Sequence, residues 1–190
     1  MRLFTGIDIP DDLAAPIGKL VAQWKPLAAI RWSKIENLHV TTKFIGEWPE
    51  ERLDEMKQSL AAIEPREPFP ISFRGLGWFP NPHRPRLFWI AVHGGAALAG
   101  LAREIEERLA TIGVAQEDRE FRPHLTLARV EPRGGGPTPD LGAVRRAIAQ
   151  LDSDEFGSFI AHAFHLYLSE PGSGGSKYTK LATFPMRGAA

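Results

Sequence analysis

The chain has 190 residues, 43% apolar and 24% charged, with a formal net charge of zero. This is an ordinary globular balance, enough for one large domain or two small lobes packed closely. The absence of cysteine excludes disulfides, thiolate metal sites and cysteine nucleophiles. No apolar run reaches the roughly 18–20 residues that span a bilayer. The opening Met1–Gly6 lacks the apolar stretch and small-residue cleavage site of a signal peptide, so a cytoplasmic location is expected. Balanced charge argues against coating long nucleic acid and restricts any RNA contact to a local one. Sixteen of the 23 basic residues are arginine. Their planar forks suit phosphate, although high-GC coding explains the excess equally well.

Residues 2–9 read as a strand closed by Pro10. Asp11 or Asp12 can cap a helix reaching about Trp24, with Leu13, Ile17, Leu20, Val21 and Trp24 on one face. A short extended piece at Arg31–Trp32 precedes a strand over 37–46. Pro49 then opens a second helix with Leu53, Met56, Leu60 and Ile63 inward. Phe69, Ile71 and Phe73 alternate as in a strand, and 80–86 is a loop. Residues 87–93 are almost wholly apolar, as in a central strand. A helix over 96–112 follows, with Gly113 at its C-cap. Residues 121–130 form another strand and 131–139 a mobile loop. A fourth helix covers 140–151 and a strand 158–168. A Gly/Ser loop at 171–176 leads to a short last strand over 178–184. Consecutive as well as alternating strands favour an α+β fold with antiparallel sheets.

Two of these strands carry the same pattern: His39-Val40-Thr41-Thr42 and His124-Leu125-Thr126-Leu127. Residues two apart in a strand share a face. His39 and Thr41 therefore point one way while Val40 and Phe44 take the other, and His124 and Thr126 point away from Leu125 and Leu127. Opening a cyclic phosphate requires water to be deprotonated on one side of phosphorus and the leaving sugar oxygen to be protonated on the other. Two imidazoles from two strands suit those tasks, and threonine hydroxyls can donate to the non-bridging oxygens. Neither metal nor cofactor enters the scheme. A single His-x-Thr on a strand is ordinarily packing, and periodicity leaves packing and catalysis both open for the pair.

The chain resembles the RNA 2′,3′-cyclic phosphodiesterases, also called 2′-5′ RNA ligases, of the two-histidine phosphoesterase superfamily. The likeness runs nearly end to end: MRLFTGIDIP, RWSKIENLHVTTKFIGEW, PRLFWIAV, FRPHLTLARV and KYTKLATFPM. It implies one bilobal domain over 1–190. Two pseudo-symmetric lobes would each supply one motif strand to a central cleft, with helices outside. The 85-residue spacing of the motifs fits an internal duplication. It further implies that His39 donates a proton to the leaving 3′-oxygen, that His124 activates water, and that Thr41 and Thr126 bind phosphate. The product would be a 2′-phosphomonoester. Arg129 stands where family members often carry arginine and is a further candidate to bind phosphate, but strict alternation turns it away from His124 unless a twist or bulge re-aims it. Thr42 replaces the more usual apolar residue and affects packing only.

Other features have plainer readings. Arg84, Arg86 and Arg122 are candidates for RNA backbone contact or solvated surface. His83, His93, His162 and His165 are structural or surface residues, the last two on opposite faces of one strand. Gly134–Gly136 and 172–176 match no phosphate-loop motif and read as connectors. Trp32, Trp78 and Phe79 can stack a base but suit packing better. The expected partners are RNA ends with a 2′,3′-cyclic phosphate, tRNA fragments or nucleotides, acted on by a monomer. The alternatives are a phosphodiesterase acting on small cyclic nucleotides or ADP-ribose cyclic phosphates, and a nucleotide-binding module of the same fold.

Overall fold

The computed structural model describes residues 1–130, 139–172 and 175–188. Nine strands form two antiparallel sheets among these residues. In the first, β1 (Arg2–Asp8) lies between β3 (His39–Glu47) and β8 (Ala163–Gly172), and β9 (Gly175–Pro185) adds to β8. The second runs β2 (Arg31–Trp32), β6 (His124–Arg129), β5 (Leu87–His93), β4 (Phe69–Phe79) and β7 (Glu155–Ala161). Both sheets therefore mix early and late parts of the chain. The α+β, two-lobed expectation holds.

The helices exchange sheets. α1 (Asp11–Trp24) follows β1 but packs on β7 of the five-stranded sheet, burying Leu13, Ile17, Val21 and Trp24. α3 (Gly95–Ala110) follows β5 but packs on β3 and on α2 (Leu53–Ala61), burying Leu98, Leu101, Ile105 and Leu109. Each such buried aliphatic side chain stabilises the fold by about 1.5–3 kcal/mol. α4 (Gly142–Ala149) buries Val144. No helix among the described residues is long and apolar enough to cross a membrane.

Several local expectations are corrected. Pro10 holds the N-cap position of α1 without a side-chain cap, and Asp11 and Asp12 lie in the first turn. The segment read as one strand over 158–168 is two, β7 and β8, in different sheets. Residue 162 sits at the crossing, so His162 and His165 do not share a strand. β9 is much longer than expected because it pairs with β8 along its whole length. β5 is central, yet its burial alternates: Phe88, Ile90 and Val92 are buried and Leu87, Trp89 and Ala91 only partly so. Its second face carries Trp89 beside the His124 ring. The loop expected at 131–139, with Gly134–Gly136, lies outside the described residues except at Pro139.

Candidate active site

The segment over residues 31–38 ties one motif strand to the other. β2 pairs with β6 through Arg31 with Arg129 and Trp32 with Ala128. Ser33 then anchors the segment to the second motif. Its backbone N–H donates to the Leu127 carbonyl at 2.8 Å and its hydroxyl to the Thr126 carbonyl at 2.7 Å. A 3-10 turn at Ile35–Asn37 delivers the chain into His39. The start of β3 is thereby fixed against β6, and these strands approach each other across the cleft.

Both motif strands are bulged at the same place. Against β1, Gly6 faces Thr41 and Thr5 faces Lys43, leaving Thr42 extra. Against β5, Trp89 faces Thr126 and Phe88 faces Ala128, leaving Leu127 extra. Each extra residue is the third after the histidine. A bulge puts two consecutive residues on one side and reverses the alternation beyond it. Thr42 and Lys43 are accordingly both buried, as are Leu127 and Ala128. The reversal turns Arg129 onto the face of His124 and Thr126, which the sequence left conditional on such a bulge. It also corrects Phe44, expected opposite His39: the ring is 53% exposed and lines the same cavity as His39. Phe44 and Arg129 thus occupy equivalent positions of the two strands. The Thr42 hydroxyl is buried as expected and satisfied by Thr5 at 2.8 Å.

The histidines are held alike. His39 Nδ1 lies 2.7 Å from the Asn37 carbonyl, and His124 Nδ1 lies 2.8 Å from the Arg122 carbonyl. A carbonyl only accepts, so each Nδ1 carries the proton and donates it, which fixes Nε2 as the working nitrogen. His39 Nε2 is 3.0 Å from Thr41 Oγ1. The His39 ring lies over Gly6, where an added Cβ would come within 3.3 Å of it and 3.0 Å of the Val40 carbonyl. Phe4 and Tyr178 flank the imidazole, with centroids 4.7 and 5.1 Å away, Tyr178 edge-on. His124 has Trp89 beside it at 6.3 Å.

A cavity of about 390 Å³ brings together His39, Thr41, Phe44, Thr126, Arg129 and Tyr178. His124 heads the strand that supplies Thr126 and Arg129, and its charge acts on His39. The other charged residues lining the cavity are Arg2, Arg31 and Lys34, so among the described residues its charged lining is wholly basic. Burial holds the His39 imidazolium below the ordinary histidine range, with His124 and Arg129 acting in the same direction. The Asn37 carbonyl and the Asp8 carboxylate oppose them.

Sequence reasoning missed Phe44, Tyr178 and Asn37, whose side-chain amide donates to the Ser176 carbonyl at 2.7 Å. The KYTKLATFPM block was the available signal for Tyr178. Arg84, Arg86 and Arg122 do not line this cavity, and Arg122 lies 3.7 Å from Glu120. Trp32 is buried edge-on against Phe88, Trp78 stacks on Phe88, and Phe79 is exposed outside the cavity. His83 is exposed in its loop. His93 meets the Arg74 carbonyl at 3.1 Å. No group of three or more His, Cys, Asp or Glu suited to a metal occurs among the described residues.

Two antiparallel sheets, each presenting a bulged His-x-Thr strand to one basic cleft, define a twinned α+β architecture suited to phosphate esters. A family model described as LigT like Phosphoesterase matches the chain twice, over residues 7–89 and 90–178, and the chain belongs to that family. The double match divides the chain between the two motifs. A relative from Archaeoglobus fulgidus, named RNA 2′,3′-cyclic phosphodiesterase, is 32% identical over 97% of this chain and 99% of its own. One of the same name from Methanocaldococcus jannaschii is 35% identical over 89% and 91%. The crystal structure of a Thermus thermophilus protein superposes with a TM-score of 0.80 at 26% identity, covering 100% of both chains. E. coli LigT complexed with 3′-AMP gives 0.76 at 26% identity over 98% of each.

Proposed function

We propose that this protein hydrolyses the 2′,3′-cyclic phosphate at an RNA end to a 2′-phosphomonoester, with His39 and His124 as its acid–base pair. The observation that carries this reading is the twinned geometry. Two strands bear the same histidine, threonine and bulge, and both imidazoles have Nδ1 tied back. The names of the relatives and the 3′-AMP complex of LigT support the choice of a nucleotide substrate.

In the proposed reaction His124 Nε2 takes a proton from water as the water oxygen attacks phosphorus. The bond from phosphorus to the 3′-oxygen breaks, and His39 Nε2 gives its proton to that oxygen. Thr41, Thr126 and Arg129 hold the non-bridging oxygens, where charge accumulates. Phe44 offers its exposed ring to the nucleobase. The scheme calls for no metal or cofactor. The proposed setting is a cytoplasmic monomer acting on RNA ends, tRNA fragments among them, with both lobes in one domain.

The test is incubation with an oligoribonucleotide ended in a 2′,3′-cyclic phosphate, with and without chelator, followed by identification of the monoester. A 2′-phosphate formed equally in both arms is expected. No ring opening, a 3′-phosphate, or loss of turnover with chelator would count against the reading. Comparison with a cyclic mononucleotide separates RNA ends from small cyclic nucleotides, and tight binding without turnover would favour a binding module.

A further inference from the structure

The cleft face of the four-stranded sheet carries a second polar cluster beside His39. Asp8 is the direct register partner of His39 across β1 and β3, and side chains in such a pair stand about 4.5–5.5 Å apart at Cβ. The Asp8 carboxylate is built into its place. Tyr167 donates its hydroxyl to Oδ1, Lys180 Nζ lies 2.5 Å from Oδ2, and His165 Nε2 lies 3.4 Å from Oδ2. Tyr167 stacks on Phe4 at 5.0 Å, and Phe4 packs on the His39 ring. The carboxylate is thus fixed through aromatic contacts to the imidazole it faces.

That placement answers a problem in the proposed reaction. A proton donor at residue 39 must keep its proton while burial and the neighbouring Arg129 guanidinium drive it off. The groups around His39 are His124 and Arg129 from β6, Tyr178 and Lys180 from β9, His165 and Tyr167 from β8, and Asp8 from β1. Asp8 carries the negative charge in this set. Burial raises the Asp8 carboxyl, but the bonds from Lys180 and Tyr167 and the charges of His165 and Lys180 outweigh it, so the group stays anionic. Burial and Asp8 push the Tyr167 phenol up, so it remains a donor.

We infer that Asp8 is a positioning residue whose carboxylate, anchored by Tyr167 and Lys180, keeps His39 loaded with the proton it delivers to the leaving oxygen. The inference rests on the reading of His39 as the acid.

The experiment is a pH titration of the His39 ring by NMR in the full chain, assigned with His39→Gln, alongside kcat/KM against pH on a cyclic-phosphate oligonucleotide. Asp8→Asn keeps an acceptor for Tyr167 and removes the charge. It should move the His39 midpoint and the descending limb of kcat/KM to lower pH. The loss above neutrality should be roughly tenfold, short of the 10²–10⁴-fold for losing a general acid, and should be recovered on acidification. Lys180→Met, on a partly exposed side chain, relieves the carboxylate of its cation and should move the midpoint the opposite way, which keeps the test intact if Asp8→Asn fails to fold. A His39 midpoint that stays put in both variants, or moves the same way in both, overturns the inference. The ring titration needs no substrate, so wild-type inactivity on cyclic phosphate would sink the functional reading while leaving Asp8 to be judged on its own.

Discussion

At the scale of single residues, the two imidazoles have matched tethers and unmatched surroundings. His39 lies among Phe4, Tyr178 and the Asp8 cluster, whereas His124 has Trp89 for its nearest ring. Replacing either histidine with alanine should lower turnover by roughly 10²–10⁴-fold or more, with the thermal unfolding midpoint little changed because both residues are only partly buried. Wild-type turnover in either variant would remove that residue from the mechanism. The pH profile has a definite sign. His39 must be protonated to act, and burial with the charges of His124 and Arg129 lowers its pKa. The contribution of His39 is therefore present below that pKa and lost as the pH rises through it, which makes it the descending limb of a bell-shaped profile whose other limb reflects the need for an unprotonated His124. The descending limb of kcat/KM, which reports the free enzyme, should fall below the ordinary histidine range. A bound anionic phosphate favours the imidazolium, so the limb of kcat should lie at higher pH. Coincident limbs would contradict this electrostatic account.

At the scale of elements, the bulges decide what each strand presents. Without the extra residue at Thr42 and at Leu127, Phe44 and Arg129 would point into the core and Lys43 and Ala128 into the cleft. The bulge in β3 leaves Lys43 3% exposed, where Nζ meets Glu106 of α3 at 2.9 Å and the Ala115 carbonyl at 2.8 Å. Glu106 also accepts the Glu117 backbone N–H at 2.6 Å. Lys43 thus fastens the first motif strand to α3 and to the segment leading toward the second motif. Lys43→Ala strands Glu106 without its cation, and breaking such a buried pair costs about 3–5 kcal/mol. Glu106 retains some exposure, so a loss near the lower end, about 3 kcal/mol in denaturant unfolding, is expected. A loss below about 1 kcal/mol, the level of a surface pair, would show that the pair contributes little.

At the scale of the whole molecule, zero net charge conceals a basic cavity. Arg2, Arg31, Lys34 and Arg129 surround the place assigned to phosphate, so the attraction is local rather than spread over the surface. For a cyclic-phosphate oligonucleotide, kcat/KM should decrease as ionic strength rises, and the decrease should be shallower in Arg129→Gln. An unchanged salt response in that variant would place the phosphate elsewhere. The sheets that hold the cavity interleave the chain: β8 and β9 return to the sheet begun by β1, and β2 joins β6. Motion between the lobes is therefore constrained by shared pairing as well as by packing.

The sequence by itself determined the α+β class, most elements and the His39, Thr41, His124 and Thr126 faces. Strand alternation has a period of two, and each motif lies within three residues, too short a run for a bulge to intervene. Tertiary structure alone decided the facing of Phe44 and Arg129, because Thr42 and Leu127 are ordinary strand residues whose displacement is set by the partner strands. It also decided the switch of sheets at His162, the tie from Ser33 to Thr126, and the meeting of Asp8 with Tyr167 and Lys180. Those contacts join residues far apart in the chain, and no local periodicity encodes which distant strand completes a sheet.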